Sequence, residues 1–128
     1  MDDRTGKITL AGKEYELVLT TRATKEIAGR YGGLANLGDK LMKSENFEMA
    51  LEEIIWLIVL LANQSVQIHN LLHPDDKHEL LTDEMVELLT TPLDLAEYKD
   101  AIMTTLVKGT KRNVVSEEAP SKNAESVG

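Results

Sequence analysis

Near the start of the chain, apolar and polar positions alternate on both sides of a turn. Ile8 and Leu10 flank Thr9, and after Ala11-Gly12-Lys13 the residues Tyr15, Leu17 and Leu19 alternate with Glu16 and Val18. Period two on either side of a glycine-containing turn predicts a β-hairpin over 7–19 with one apolar face. A lone two-stranded hairpin is marginal in water, so the segments that follow must cover that face.

From residue 20 onward the period changes to that of a helix. Thr20 or Thr21 suits an N-cap, Ala23, Ile27 and Tyr31 recur on one face, and Gly32-Gly33 supplies the left-handed stop. Leu34, Leu37, Leu41 and Met42 mark a second short helix ending near Lys43. A third, with Ser44 or Asn46 as cap, runs from Phe47 to about Leu72 without Gly or Pro. Its middle, Ile54 to Ala62, is apolar on every side, as expected only of a helix that is buried or meets another molecule. Pro74 stops it, and Pro74-Asp75-Asp76-Lys77 reads as a surface turn. Thr82, followed by Asp83 and Glu84, opens a short helix with Met85, Leu88 and Leu89 on one side. Pro92, at a favoured first helical position, opens the last helix, whose stripe of Leu95, Tyr98, Ile102 and Leu106 is expected to run to Gly109.

The expected fold is therefore mainly α. An N-terminal hairpin (7–19) packs on a bundle of four to five helices (21–110) with one long central helix. Residues 1–112 form a single domain, and 113–128, rich in Ser, Asn, Glu and Pro, read as a disordered tail. Only five of the 128 residues are aromatic, so the core must be aliphatic. The absence of Cys removes disulfides, thiol nucleophiles and Cys-type zinc sites. Met1-Asp2-Asp3-Arg4 has no apolar leader region, so a cytoplasmic chain is expected. The nine-residue apolar run is about half of what a membrane span needs, so no membrane is expected.

Charge sharpens the picture. The formal net charge is −8, and residues 39–106 alone carry −10; between Glu45 and Glu97 the only cation is Lys77. Such a field disfavours nucleic acid and favours basic protein segments.

Candidate chemistry is sparse. His69, His73 and His78, with Asp75 and Asp76 between them, are the one cluster resembling a metal site, and His69 and His73 share a helix face. Pro74 ends that helix, so the cluster reads as a polar helix end with no metal expected. Glu52 and Glu53 point about 100° apart and make no acid/base pair. The glycines at 29, 32, 33 and 38 form no phosphate loop, and the serines lie in no nucleophile-elbow context. Lys108, Lys111 and Arg112 suit a helix C-terminus. No catalytic residue and no cofactor is expected. Trp56 among aliphatic neighbours has the composition of an interface hot spot, and Ile54, Trp56, Ile58 and Leu61 are the candidate partner-binding residues.

The residues Ile8, Thr9, Gly12, Lys13, Tyr15 and Leu17 of the hairpin, followed by Ala23, Lys25, Glu26, Ile27, Tyr31 and Gly32 of the helix, resemble the opening of small tail assembly chaperones of long-tailed phages and prophages of Gram-positive bacteria. The helical middle is similar too, so the resemblance covers roughly residues 7–112. It implies a non-enzymatic factor in the bacterial host cytoplasm, absent from the mature virion. Its partners would be the tape measure protein, kept soluble, and the tail tube protein, with self-association as a further property. The alternative is a small acidic helical adaptor or regulatory module with another client.

Overall fold

The computed structural model describes residues 5–43 and 47–118, with side-chain surroundings given for 6–37, 39–40 and 51–109. Strands β1 (Thr5–Leu10) and β2 (Lys13–Val18) pair antiparallel, and five helices follow: α1 (Thr21–Tyr31), α2 (Leu34–Lys43), α3 (Phe47–Leu72), α4 (Asp83–Leu89) and α5 (Pro92–Glu118). The predicted class holds, a hairpin on a helical bundle with α3 through its middle. The hairpin begins two residues earlier than its alternation suggested, and its turn narrows to Ala11-Gly12. Both turn residues have positive φ (52° and 80°), the type I′ pattern that matches strand twist.

The register places Ile8 opposite Tyr15 and Gly6 opposite Leu17, while Lys7 faces Glu16 and Thr9 faces Glu14 on the other side. The apolar face rests on two helices, with β2 over α3 and β1 over α5. Ile8, Leu10, Tyr15, Leu17 and Leu19 join Ile54, Leu57, Ile58 and Leu61 of α3 and Leu95, Tyr98, Ile102 and Leu106 of α5 in one core. Each such aliphatic side chain contributes about 1.5–3 kcal/mol on leaving water.

Local capping fixes where the helices begin and end. Thr20, not Thr21, caps α1: its hydroxyl oxygen accepts from the Ala23 N–H at 3.0 Å. Gly32 closes α1 in the left-handed conformation (φ 86°). Thr91 and Asp94 form a reciprocal capping box around Pro92: the Thr91 N–H donates to Asp94 at 2.9 Å, and the Asp94 N–H donates to the Thr91 hydroxyl at 3.3 Å. The expected caps of α3, Ser44 and Asn46, lie outside the described residues.

One expectation is corrected. Gly109 does not end α5, which continues to Glu118, through residues 113–118 of the expected tail; residues 119–128 lie outside the described residues. Gly109 is instead a point of close approach. A Cβ there would sit 2.6 Å from Leu19 Cδ2 and 2.9 Å from Leu19 Cβ. In the same way a Cβ on Gly6 would meet Thr105 Oγ1 at 2.5 Å and the Ala101 carbonyl oxygen at 2.9 Å. Ala101, Thr105 and Gly109 recur every four residues, so α5 presents a small-residue stripe to the hairpin. Thr105 is fully buried, and its hydroxyl donates to the Ala101 carbonyl at 2.9 Å. Helix α4 turns its leucine pair outward. Its buried residue is Val86, while Leu88 and Leu89 face solvent and Met85 is half-buried. Leu81, buried just before the Thr82 cap, sets the rotation of this short helix.

Tyr98 ties α5 to the hairpin: its hydroxyl donates to the Thr9 carbonyl at 2.6 Å. Burial first, then the nearby charges of Asp94 and Glu97, raises the phenol pKa above its ordinary value. Because the folded-state pKa of this acid lies above the unfolded one, the associated stability is complete below pH ~10. It is lost as pH rises from there through the raised folded value.

Two measurements check this packing. Gly29, in the interior of α1, has open space around its Cβ position, so Gly29→Ala should stabilise by about 0.5–1 kcal/mol. Gly109→Ala gains the same helix propensity yet should destabilise by about 1–3 kcal/mol, because Leu19 must move; urea melts of the two variants should shift in opposite directions. Tyr98→Phe should cost about 1 kcal/mol at pH 7. It should also flatten the fall of wild-type stability above pH ~10, read from denaturation midpoints across the alkaline range.

Candidate functional site

The apolar run that made α3 conspicuous divides by face. Ile54, Ile58 and Leu61 are 3%, 0% and 0% exposed, sealed under the hairpin and α5, and in this fold they offer no surface to a partner. This corrects their place among the candidate binding residues, because the side of α3 they occupy is the side the hairpin needs. Trp56 alone of the four reaches the surface, half-buried. The segment Leu51–Leu72 is long and apolar enough by composition to cross a membrane, yet it serves here as the core helix of the bundle.

Trp56 sits in a polar setting built by α1 and α2. The Arg30 guanidinium lies 4.5 Å from the centre of its ring, and Tyr31 meets it edge-on with centroids 5.9 Å apart. Glu53, one turn before Trp56, has a side chain only 13% exposed and lies 3.6 Å from Arg30 Nε and 3.9 Å from Lys40 Nζ. Its Oε1 accepts no hydrogen bond from the described residues. Beyond Trp56 an open groove of about 370 Å³ runs along α3, floored by Trp56, Val59, Leu60 and Asn63, with Arg22 of α1 and Asp83 of α4 among its lining. At its α1 side the Thr20 hydroxyl donates to Gln64, a buried side chain whose amide also donates to the Leu60 carbonyl at 3.1 Å.

After α3 the chain folds back along it. Asn63 donates to the Leu81 carbonyl at 2.8 Å and accepts from the Leu81 N–H at 2.7 Å. Asn70 makes the same two bonds with His78, at 3.1 and 2.8 Å. The spacing follows from geometry: seven helical residues rise about 10.5 Å, and three extended residues cover about 10 Å. The two asparagines therefore hold residues 78–81 against α3 as a strap.

The strap gathers the histidines in a way helix spacing did not foretell. The His69 and His78 rings stack with centroids 3.9 Å apart, and His73 lies beside His69 at 4.8 Å. His69 Nε2 is 2.7 Å from the Asp76 carbonyl oxygen. Asp76 Oδ2 is 3.5 Å from His69 Nε2 and 3.8 Å from His78 Nε2.

The same stretch exposes apolar surface. Among the described residues, Leu71, Leu72, Leu80, Leu88, Leu89 and Leu93 are exposed, and outside this stretch only Val107 joins them as a large exposed hydrophobic. Between Leu71 and Glu97 the chain carries eight acidic residues and one lysine. The stretch thus sets exposed leucines among acidic side chains.

No family model, curated protein or solved structure matches this chain. The site is therefore judged on its own chemistry. It combines an open groove of mixed apolar and polar lining with surface leucines set among acidic residues. Periodicity placed Leu88 and Leu89 with Met85 on one side of α4 and did not show that both leucines face solvent. The signal that was available is the count of large apolar residues in 80–95, which exceeds what so short a helix can bury.

Proposed function

We propose that this chain is a non-catalytic tail assembly chaperone that binds the tape measure protein, holds it in solution and helps recruit tail tube subunits. The observation that carries the reading is the run of exposed leucines from Leu71 to Leu93 set among acidic side chains. A long amphipathic helix is insoluble while its apolar stripe is uncovered, and a leucine-bearing surface can cover such a stripe. The acidic rim keeps the chaperone itself soluble and attracts basic residues that flank the client's stripe. The resemblance of the hairpin and α1 to tail assembly chaperones, from Ile8 through Gly32, supports the tape measure protein as the client.

Co-expression of the tape measure protein with the full chain should move it from the insoluble to the soluble fraction, bound to several copies. The double variant Leu88→Ser/Leu93→Ser removes side chains that are 74% and 71% exposed, so stability should stay within about 0.5 kcal/mol of wild type. Client binding should weaken at least about tenfold. Val107→Ser, an exposed position outside the segment, should bind as wild type. A client that is soluble alone, or that binds the double variant as tightly as wild type, would contradict the reading.

A further inference from the structure

We propose that His69, Asp76 and His78 form a site for a divalent first-row transition ion of the zinc type, closing the strap onto the end of α3. One donor atom from each of the three residues lies within 4.8 Å of the other two. For metal–ligand bonds of 2.0–2.2 Å, neighbouring ligands of a tetrahedral ion stand about 3.4 Å apart. The measured separations of Asp76 Oδ2 from His69 Nε2 (3.5 Å) and from His78 Nε2 (3.8 Å) are already near that edge. Two imidazoles and one carboxylate suit zinc, nickel or copper, whereas magnesium and calcium take oxygen sets.

The trio is also held in place by the fold. His69 stands on the last turn of α3, and the turn after Pro74 returns Asp76 to it. The backbone of His78 is fixed to the same helix by both hydrogen bonds of Asn70, one turn of chemistry removed from the ion itself. Binding would replace the hydrogen bond between His69 Nε2 and the Asp76 carbonyl, with loss of the Nε2 proton, and would turn the two rings out of their stack; with side chains 28% and 48% exposed, each ring has room to turn. A fourth position remains open to water or to a donor from another molecule. The inference does not depend on the identity of any client.

The test is calorimetric titration of zinc chloride into the full-length protein at neutral pH in a non-chelating buffer. Wild type should saturate at one ion per chain, and its melting temperature should rise when zinc is added. His69→Ala and His78→Gln should each weaken binding at least about tenfold, and Asn70→Ala about tenfold by releasing the His78 backbone. His73→Ala should bind as wild type. Circular dichroism checks that each variant keeps its helices, and zinc should no longer raise the melting temperature of His78→Gln. Absence of binding heat in wild type would overturn the proposal. So would loss of binding in His73→Ala with retention in His78→Gln, since the ion would then sit on the helical pair His69 and His73.

Discussion

The close approach of α5 to the hairpin is the constraint on which the structure depends. Ala101, Thr105 and Gly109 present so little side chain that β1 and the end of β2 settle almost onto the helix backbone, with Gly6 and Leu19 as the reciprocal surfaces. That approach brings the Tyr98 hydroxyl to the Thr9 carbonyl and lets Ile102 and Leu106 reach under the sheet. A two-stranded hairpin has only one face to bury, so any residue that lifted it from α5 would expose Ile8 and Leu10 together. The helix pays a propensity cost at Gly109 for this contact.

Once the hairpin is fixed on α5, the role of α3 follows. One side of its apolar run, from Ile54 through Leu57, Ile58, Leu61 and Ala62, is taken up by the core. The other side, through Trp56, Val59 and Leu60, is left half-covered by α1 and by the Arg30 guanidinium. Among the described residues of this helix Gln64 is the one polar side chain buried at that depth, and its bond to Thr20 aligns the start of α1 with α3. Exposed apolar surface is thereby left to the segment that follows α3, not to the middle of that helix. The Asn63 and Asn70 pairs hold that segment while its leucines stay outside.

Much of this was legible in the chain. Alternation in Ile8–Leu10 and Tyr15–Leu19 showed the hairpin, and the spacing of Leu95, Tyr98, Ile102 and Leu106 showed the inner face of α5, because periodicity reports large apolar residues directly. What periodicity does not report is small residues used for contact. Gly6 read as a residue before the strand and Gly109 as a helix stop, since glycine favours ends unless a neighbour's backbone must come close. Side chain to backbone pairing is equally silent: nothing in Asn63 or Asn70 announces that an extended segment will return to it. For that reason the histidine grouping crossed the turn at Pro74 instead of following the helix, and of the four candidate binding residues only Trp56 kept a surface.

The central claim is that the core consumes the middle of α3 and that partner recognition belongs to the strap, α4 and the start of α5. Hydrogen exchange of the protein alone and with the proposed helical client tests it most directly. The account predicts that amides of Ile54–Leu61 exchange slowly in the free protein and change little on binding, while protection appears between Leu71 and Leu93. Fast exchange of Ile54–Leu61 in the free protein, with protection gained there only in the complex, would contradict it.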